Sequence, residues 1–123
     1  MGLINPGDNG DPVNMPENLT EDIRKKMNEG FETHGYNAFV SNMVSLNRPL
    51  PDVRNDICKS RVYKNLPKAS IVIPFHNEHW MLLMRTVHSI LNRSPPELIE
   101  EILLVDDFSD HGKKVDANIF GFI

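Results

Sequence analysis

A chain of 123 residues, 40% of them hydrophobic, with a formal net charge of −4 and a sequence pI near 5.7, has the size of one domain or part of one. Its mildly acidic balance, with Arg24-Lys25-Lys26 as the only basic run, excludes a nucleic-acid groove, because neutralising phosphates takes clustered cations. No apolar run is long enough to cross a bilayer, Met1 opens no signal-peptide pattern, and the single cysteine, Cys58, can form no internal disulfide.

Residues 1–18 mix Gly, Pro, Asn and Asp with few large apolar side chains. Burial there cannot offset the entropy of ordering the backbone, so a disordered leader is predicted. Thr20 stands before Glu21 and Asp22, Lys25 and Lys26 follow, and Gly30 supplies a stop, which predicts a short helix over about 21–29. From Phe31 to Pro67 neither a period of 2 nor one of 3.6 is sustained, and Asn37, Asn47, Pro49, Pro51 and Asp52 punctuate the stretch. Residues 19–67 therefore read as a helix followed by an irregular arm laid on a neighbouring surface.

The pattern changes at Lys68. Ala69-Ser70-Ile71-Val72-Ile73, bounded by Pro67 and Pro74, is the β-branched run expected of a strand buried on both faces. Asn77 can open a helix in which Trp80, Leu83, Met84, Val87, Ile90 and Leu91 fall at helical spacing, ending near Asn92. Ser94-Pro95-Pro96-Glu97 reads as a capping box with proline at the first helical position, starting a short helix to about Glu100, and a second strand spans Glu101 to Asp106. Strand, helix and strand at this spacing make a βαβ unit with parallel strands, so residues 68–110 are assigned to the α/β class. Residues 111–123 form a tail of different character.

Ligands of open parallel sheets bind outside the carboxyl ends of the strands. Two polar clusters fall there: Phe75-His76-Asn77-Glu78 after the first strand and Asp106-Asp107-Phe108-Ser109-Asp110 after the second. A carboxylate at that edge can accept hydrogen bonds from a nucleobase N–H or a ribose hydroxyl. Asp, Asn and Ser equally serve there as turn and cap residues, and the local pattern leaves both readings open.

Longer phrases add a resemblance. Gly35-Tyr36-Asn37-Ala38-Phe39, Phe75-His76-Asn77-Glu78 with Trp80, Arg85-Thr86-Val87-His88-Ser89, Leu91-Asn92-Arg93-Ser94-Pro95-Pro96 and Ile102-Leu103-Leu104-Val105-Asp106-Asp107 closely resemble, in order and spacing, the polypeptide N-acetylgalactosaminyltransferases. The resemblance covers about residues 20–110 and implies the segment before the catalytic domain plus the first βαβ of a glycosyltransferase A-type, Rossmann-like fold. It implies Golgi enzymes that use manganese to transfer N-acetylgalactosamine from UDP-N-acetylgalactosamine to Ser or Thr of a protein acceptor. On matching positions, Asp107 would contact the uridine, Pro74, Phe75 and His76 would line the uracil pocket, and Glu78, Arg85 and Asp106 would brace the site edge. Pro74 stands where the family usually has Thr, Val or Cys, which removes a side-chain contact and a backbone donor. Cys58 sits where the family places half of a disulfide whose partner lies far downstream.

No Asp-x-Asp or Asp-x-His, the oxygen and imidazole pattern that would hold the divalent cation, occurs in the sequence. The expectation is therefore a truncated transferase carrying the donor half of a site, with no catalytic residue or metal ligand of its own and no turnover alone. The alternatives are a non-catalytic interaction or regulatory fragment and an unstable truncated product. The family setting is the Golgi; the chain translated as it stands, with no anchor of its own, would be cytoplasmic.

Overall fold

The computed structural model describes residues 5–110 and the backbone of residues 119–122. The chain divides into two units, Met1–Pro51 with His79–Arg85, and Asp52–Glu78 with Thr86–Ile123.

In the first unit, helix α1 spans Glu21–His34 and starts where the sequence predicts. Thr20 Oγ1 accepts from the Ile23 N–H at 3.4 Å, Glu21 and Asp22 complement the positive helix end, and Lys26 reaches Asp22 one turn back at 2.8 Å. The helix does not stop at Gly30. It continues to Gly35, whose left-handed φ of 74° ends it as its N–H donates to the Phe31 carbonyl. Gly30 is buried, and a Cβ there would lie 2.9 Å from the backbone nitrogen of Ala38. Its missing side chain lets the next segment approach α1 and breaks nothing, which is why the stop signal misleads.

That next segment is α2, the single turn Ala38–Ser41, capped by Asn37 Oδ1 accepting from Val40 N–H at 3.0 Å. Ala38, Val44, Leu83 and Met84 are the buried apolar side chains of this unit. Before α1 lies the stretch whose composition predicts a disordered leader, and from Asn5 to Gly10 its described conformation is a turn. Asp8–Gly10 form a 3-10 turn, Gly7 is buried, and the Asn9 N–H donates to the Pro49 carbonyl at 2.7 Å. A segment poor in apolar side chains is thus held through its backbone. Residues 1–4 lie outside the described residues.

In the second unit the arm holds one turn of helix, α3, Asp56–Lys59, capped by Asn55 Oδ1 accepting from Ile57 N–H. Every residue from Asp52 to Ala69 is exposed, so among the described residues this part of the arm is not laid on a surface as expected. Local pairs hold it instead: the Arg54 guanidinium is hydrogen-bonded to Asp52 at 2.8 and 2.9 Å and keeps that carboxyl well below the usual carboxylate range.

Strand β1 spans Ala69–Phe75 and runs parallel to β2, Ile99–Asp106, from Ser70 opposite Glu101 to Phe75 opposite Asp106. Strand β3, Ile119–Phe122, pairs antiparallel to the other side of β2 and was not foreseen in the tail; residues 111–118 and 123 lie outside the described residues. With the order β1-β2-β3, the central strand carries the core, and Ile102 and Leu104 are fully buried. The expectation of a first strand buried on both faces is corrected: among the described residues β1 is an edge strand, Ile71, Ile73 and Phe75 are half-buried, and Val72 on the opposite face is 56% exposed. An edge is also where proline is tolerated inside a strand, as at Pro74.

Helix α4, Trp80–Arg93, is the crossover between the parallel strands, and Val87 is its buried residue in this unit. It ends as the Ser94 N–H donates to Ile90 O at 3.0 Å. Ser94 therefore closes one helix and does not cap another. The predicted helix to Glu100 is a 3-10 turn, Pro96–Leu98, entered through Pro95 with no side-chain cap, because Ile99 already has extended φ and ψ and begins β2.

Candidate functional site

The parallel pairing of β1 and β2 brings the two polar clusters, about thirty residues apart in sequence, to one sheet edge. The Asp107 N–H donates to the Phe75 carbonyl at 2.7 Å, which extends the ladder one rung beyond the last strand pair. Past that rung the two loops are joined by side chains.

Asp106 Oδ1 accepts from the Ser109 N–H at 3.0 Å and also from the Ser109 hydroxyl. That hydroxyl accepts from the Asn77 N–H at 2.8 Å, so one hydroxyl passes a hydrogen bond from the first loop to the carboxylate at the end of β2. The Asn77 carboxamide makes a second bridge: Nδ2 donates to Asp110 Oδ1 at 2.8 Å, and Oδ1 accepts from the Asp110 N–H at 2.9 Å. His76 makes the third, its Nδ1 lying 2.7 Å from the Asp107 carbonyl oxygen. Asn77 and Phe108 hold this course with left-handed φ of 50° and 59°.

Of the residues expected to touch the nucleotide, Pro74, His76 and Asp107 are exposed and Phe75 is half-buried, all on this edge. Asp106 is half-buried and turned inward onto Ser109. Glu78 is exposed on the same loop. Arg85 belongs to the other unit: 9% exposed, it donates from Nη2 to the carbonyls of Ser41 and Val44 at 2.7 and 3.3 Å and from Nη1 to the Ser41 hydroxyl at 3.3 Å. Burial, and the nearby Arg48 charge, lower its pKa. It ties down the turn after α2.

Sequence reasoning assigned Asn77 to a helix start and left Ser109 and Asp110 as generic loop residues. Their partners lie 32 and 33 residues away, and no local spacing reports such a pairing.

Chemically, the edge offers carboxylates and carbonyls. It suits the N–H of a base and the hydroxyls of a ribose, whereas Asp106, Asp107 and Asp110 would repel a diphosphate placed directly against them. Among the described residues, no three His, Cys, Asp or Glu side chains converge as metal ligands would.

The profile of "Glycosyl transferase family 2" matches residues 70–116, which takes in both strands, the crossover helix and both loops. Over 114 residues the chain is 49% identical to polypeptide N-acetylgalactosaminyltransferase 10 of Homo sapiens, covering 90% of this chain and 18% of the relative. Over 108 residues it is 46% identical to putative polypeptide N-acetylgalactosaminyltransferase 9 of Drosophila melanogaster, covering 86% of this chain and 17% of that protein. A crystal structure of GalNAc-T7 with UDP, GalNAc and Mn2+ superposes with a TM-score of 0.73 at 38% identity, over 86% of this chain and 19% of that one. The chain thus spans less than a fifth of the length of these relatives, and its fold is the corresponding part of a glycosyltransferase A-type α/β domain. Sequence identity and backbone together establish the resemblance to the polypeptide N-acetylgalactosaminyltransferases that its phrases carry.

Proposed function

We propose that this chain carries the nucleotide-binding edge of a polypeptide N-acetylgalactosaminyltransferase, receiving the uridine end of UDP-N-acetylgalactosamine for transfer to Ser or Thr of a protein acceptor. The observation that carries the reading is the placement of Pro74-Phe75-His76 beside Asp106-Asp107 at the carboxyl ends of two parallel strands. Similarity to enzymes of that name supports it. The reading brings with it mucin-type O-glycosylation and a Golgi setting.

Within it, the Asp107 carboxylate accepts from the uracil N–H or a ribose hydroxyl, and the Pro74-to-His76 loop forms the wall beside the base. Asp106 faces Ser109, so it holds the loop and does not bind. The GalNAc-T7 structure holds Mn2+, and no step through a metal is assigned to the residues of this edge. This edge binds and orients, and the chemistry of transfer lies with groups outside it.

Isothermal titration of the chain with UDP tests the reading. Binding should weaken about tenfold or more in Asp107→Ala, the effect of removing a charged hydrogen-bond acceptor, while Glu78→Ala should change it little. Equal affinities for the wild type and Asp107→Ala would sink the assignment.

A further inference from the structure

The hydrogen bonds around His76 determine where its proton sits. A carbonyl oxygen can only accept, so the 2.7 Å contact between His76 Nδ1 and the Asp107 carbonyl requires the proton on Nδ1. On the far side of the ring, Nε2 lies 3.1 Å from Asn77 Nδ2. The orientation of that carboxamide is itself determined, because Asn77 Oδ1 accepts from the Asp110 N–H and Nδ2 donates to Asp110 Oδ1. Asn77 Nδ2 has two hydrogens, one for Asp110 and one for His76, so Nε2 must present a lone pair. A second proton on the ring would set N–H against N–H.

We infer that Asn77 is a positioning residue of this edge, holding His76 as the neutral Nδ1–H tautomer so that the imidazole offers a nucleotide its ring face and neither a charge nor a free nitrogen. The inference rests on the nucleotide reading of the edge and deepens it. With both nitrogens engaged within the protein, His76 serves as neither base, phosphate donor nor metal ligand. It forms a flat neutral wall beside the Asp107 backbone, suited to a planar base. Asn77 also couples the two loops through Asp110 and Ser109, so the wall and the Asp107 carboxylate are set by one residue.

Long-range proton–nitrogen correlation spectra of the 15N-labelled chain at neutral pH test this, with the His76 ring identified by its disappearance in His76→Gln. The expected pattern is the Nδ1–H tautomer. Asn77→Asp keeps the acceptor for the Asp110 N–H but removes the donors to His76 Nε2 and to Asp110 Oδ1, so the ring should lose its fixed Nδ1–H pattern, and UDP affinity should fall about tenfold. Unchanged backbone amide shifts along β1 and β2 would show that this variant folds. A wild-type ring protonated on Nε2, or an Asn77→Asp ring unchanged from the wild type, overturns the inference whether or not UDP binds. A wild-type chain that shows the expected tautomer but binds no UDP removes the nucleotide reading, and with it Asn77's role there, while the proton assignment stands.

Discussion

Phe108 illustrates how a single residue at this edge works against stability. It is 89% exposed and holds a left-handed φ of 59° between Asp107 and Ser109. For an L-residue with a bulky side chain that conformation costs about 1–2 kcal/mol. Replacing it with glycine relieves the Cβ strain but adds backbone freedom to the unfolded chain, so Phe108→Gly should raise unfolding free energy by only about 0.5–1 kcal/mol, read from urea denaturation. Strain of this kind, like the tautomer of His76, was not legible in the residues. The strand-end pattern locates Asp107 and His76 at this edge but leaves turn and ligand roles equally open, and only the family resemblance singles them out. Which of the two aspartates turns outward depends on Ser109, three residues on.

At the scale of elements, Thr20 reads correctly as a helix start, whereas Asn77, Ser94 and Gly30 do not behave as the local signals suggest: α4 begins at Trp80, Ser94 caps no helix and Gly30 ends none. Thr20 begins α1 as expected, since a side-chain oxygen before two acids has one local use. Gly30 has two uses, ending a helix or admitting a neighbour, and only the packed Ala38 distinguishes them. Gly30→Ala should therefore lose stability even though alanine is the better helix former by about 1 kcal/mol. The new methyl meets backbone at 2.9 Å, and such overpacking costs about 1–3 kcal/mol, so a net loss of about 1 kcal/mol is expected in the urea midpoint. Arg85 gives the complementary test on α2. Arg85→Met keeps much of the apolar stem but leaves the carbonyls of Ser41 and Val44 without these donors, and a loss of about 1–3 kcal/mol should follow.

Across the whole molecule, burial is uneven. Ile102 and Leu104 on the central strand are fully buried, while Asp52 to Ala69 is exposed throughout. Native-state hydrogen exchange should show the amides of Ile102–Leu104 among the slowest and those of Val62–Leu66 near the rate of a free peptide; protection of the latter to the level of β2 would contradict this. The α/β class was legible because a β-branched run, a helical period and a second apolar run at this spacing have few other arrangements. The exposed arm and β3 were not, since irregular sequence does not announce what covers it and the third strand's partner lies in β2.

The register at the end of β1 has a further consequence for growth of the sheet. Phe75 turns its carbonyl toward β2, where Asp107 N–H reaches it, and backbone groups alternate along a strand, so Pro74 turns outward. At the end nearest the candidate site, the margin of β1 that has no strand partner among the described residues therefore presents an oxygen with no accompanying hydrogen. A fourth strand could lie along Ser70 and Val72 with both kinds of rung, yet at Pro74 it could only give a proton and never take one. The sheet thus has a rung of fixed polarity at the rim where the nucleotide reading places the base.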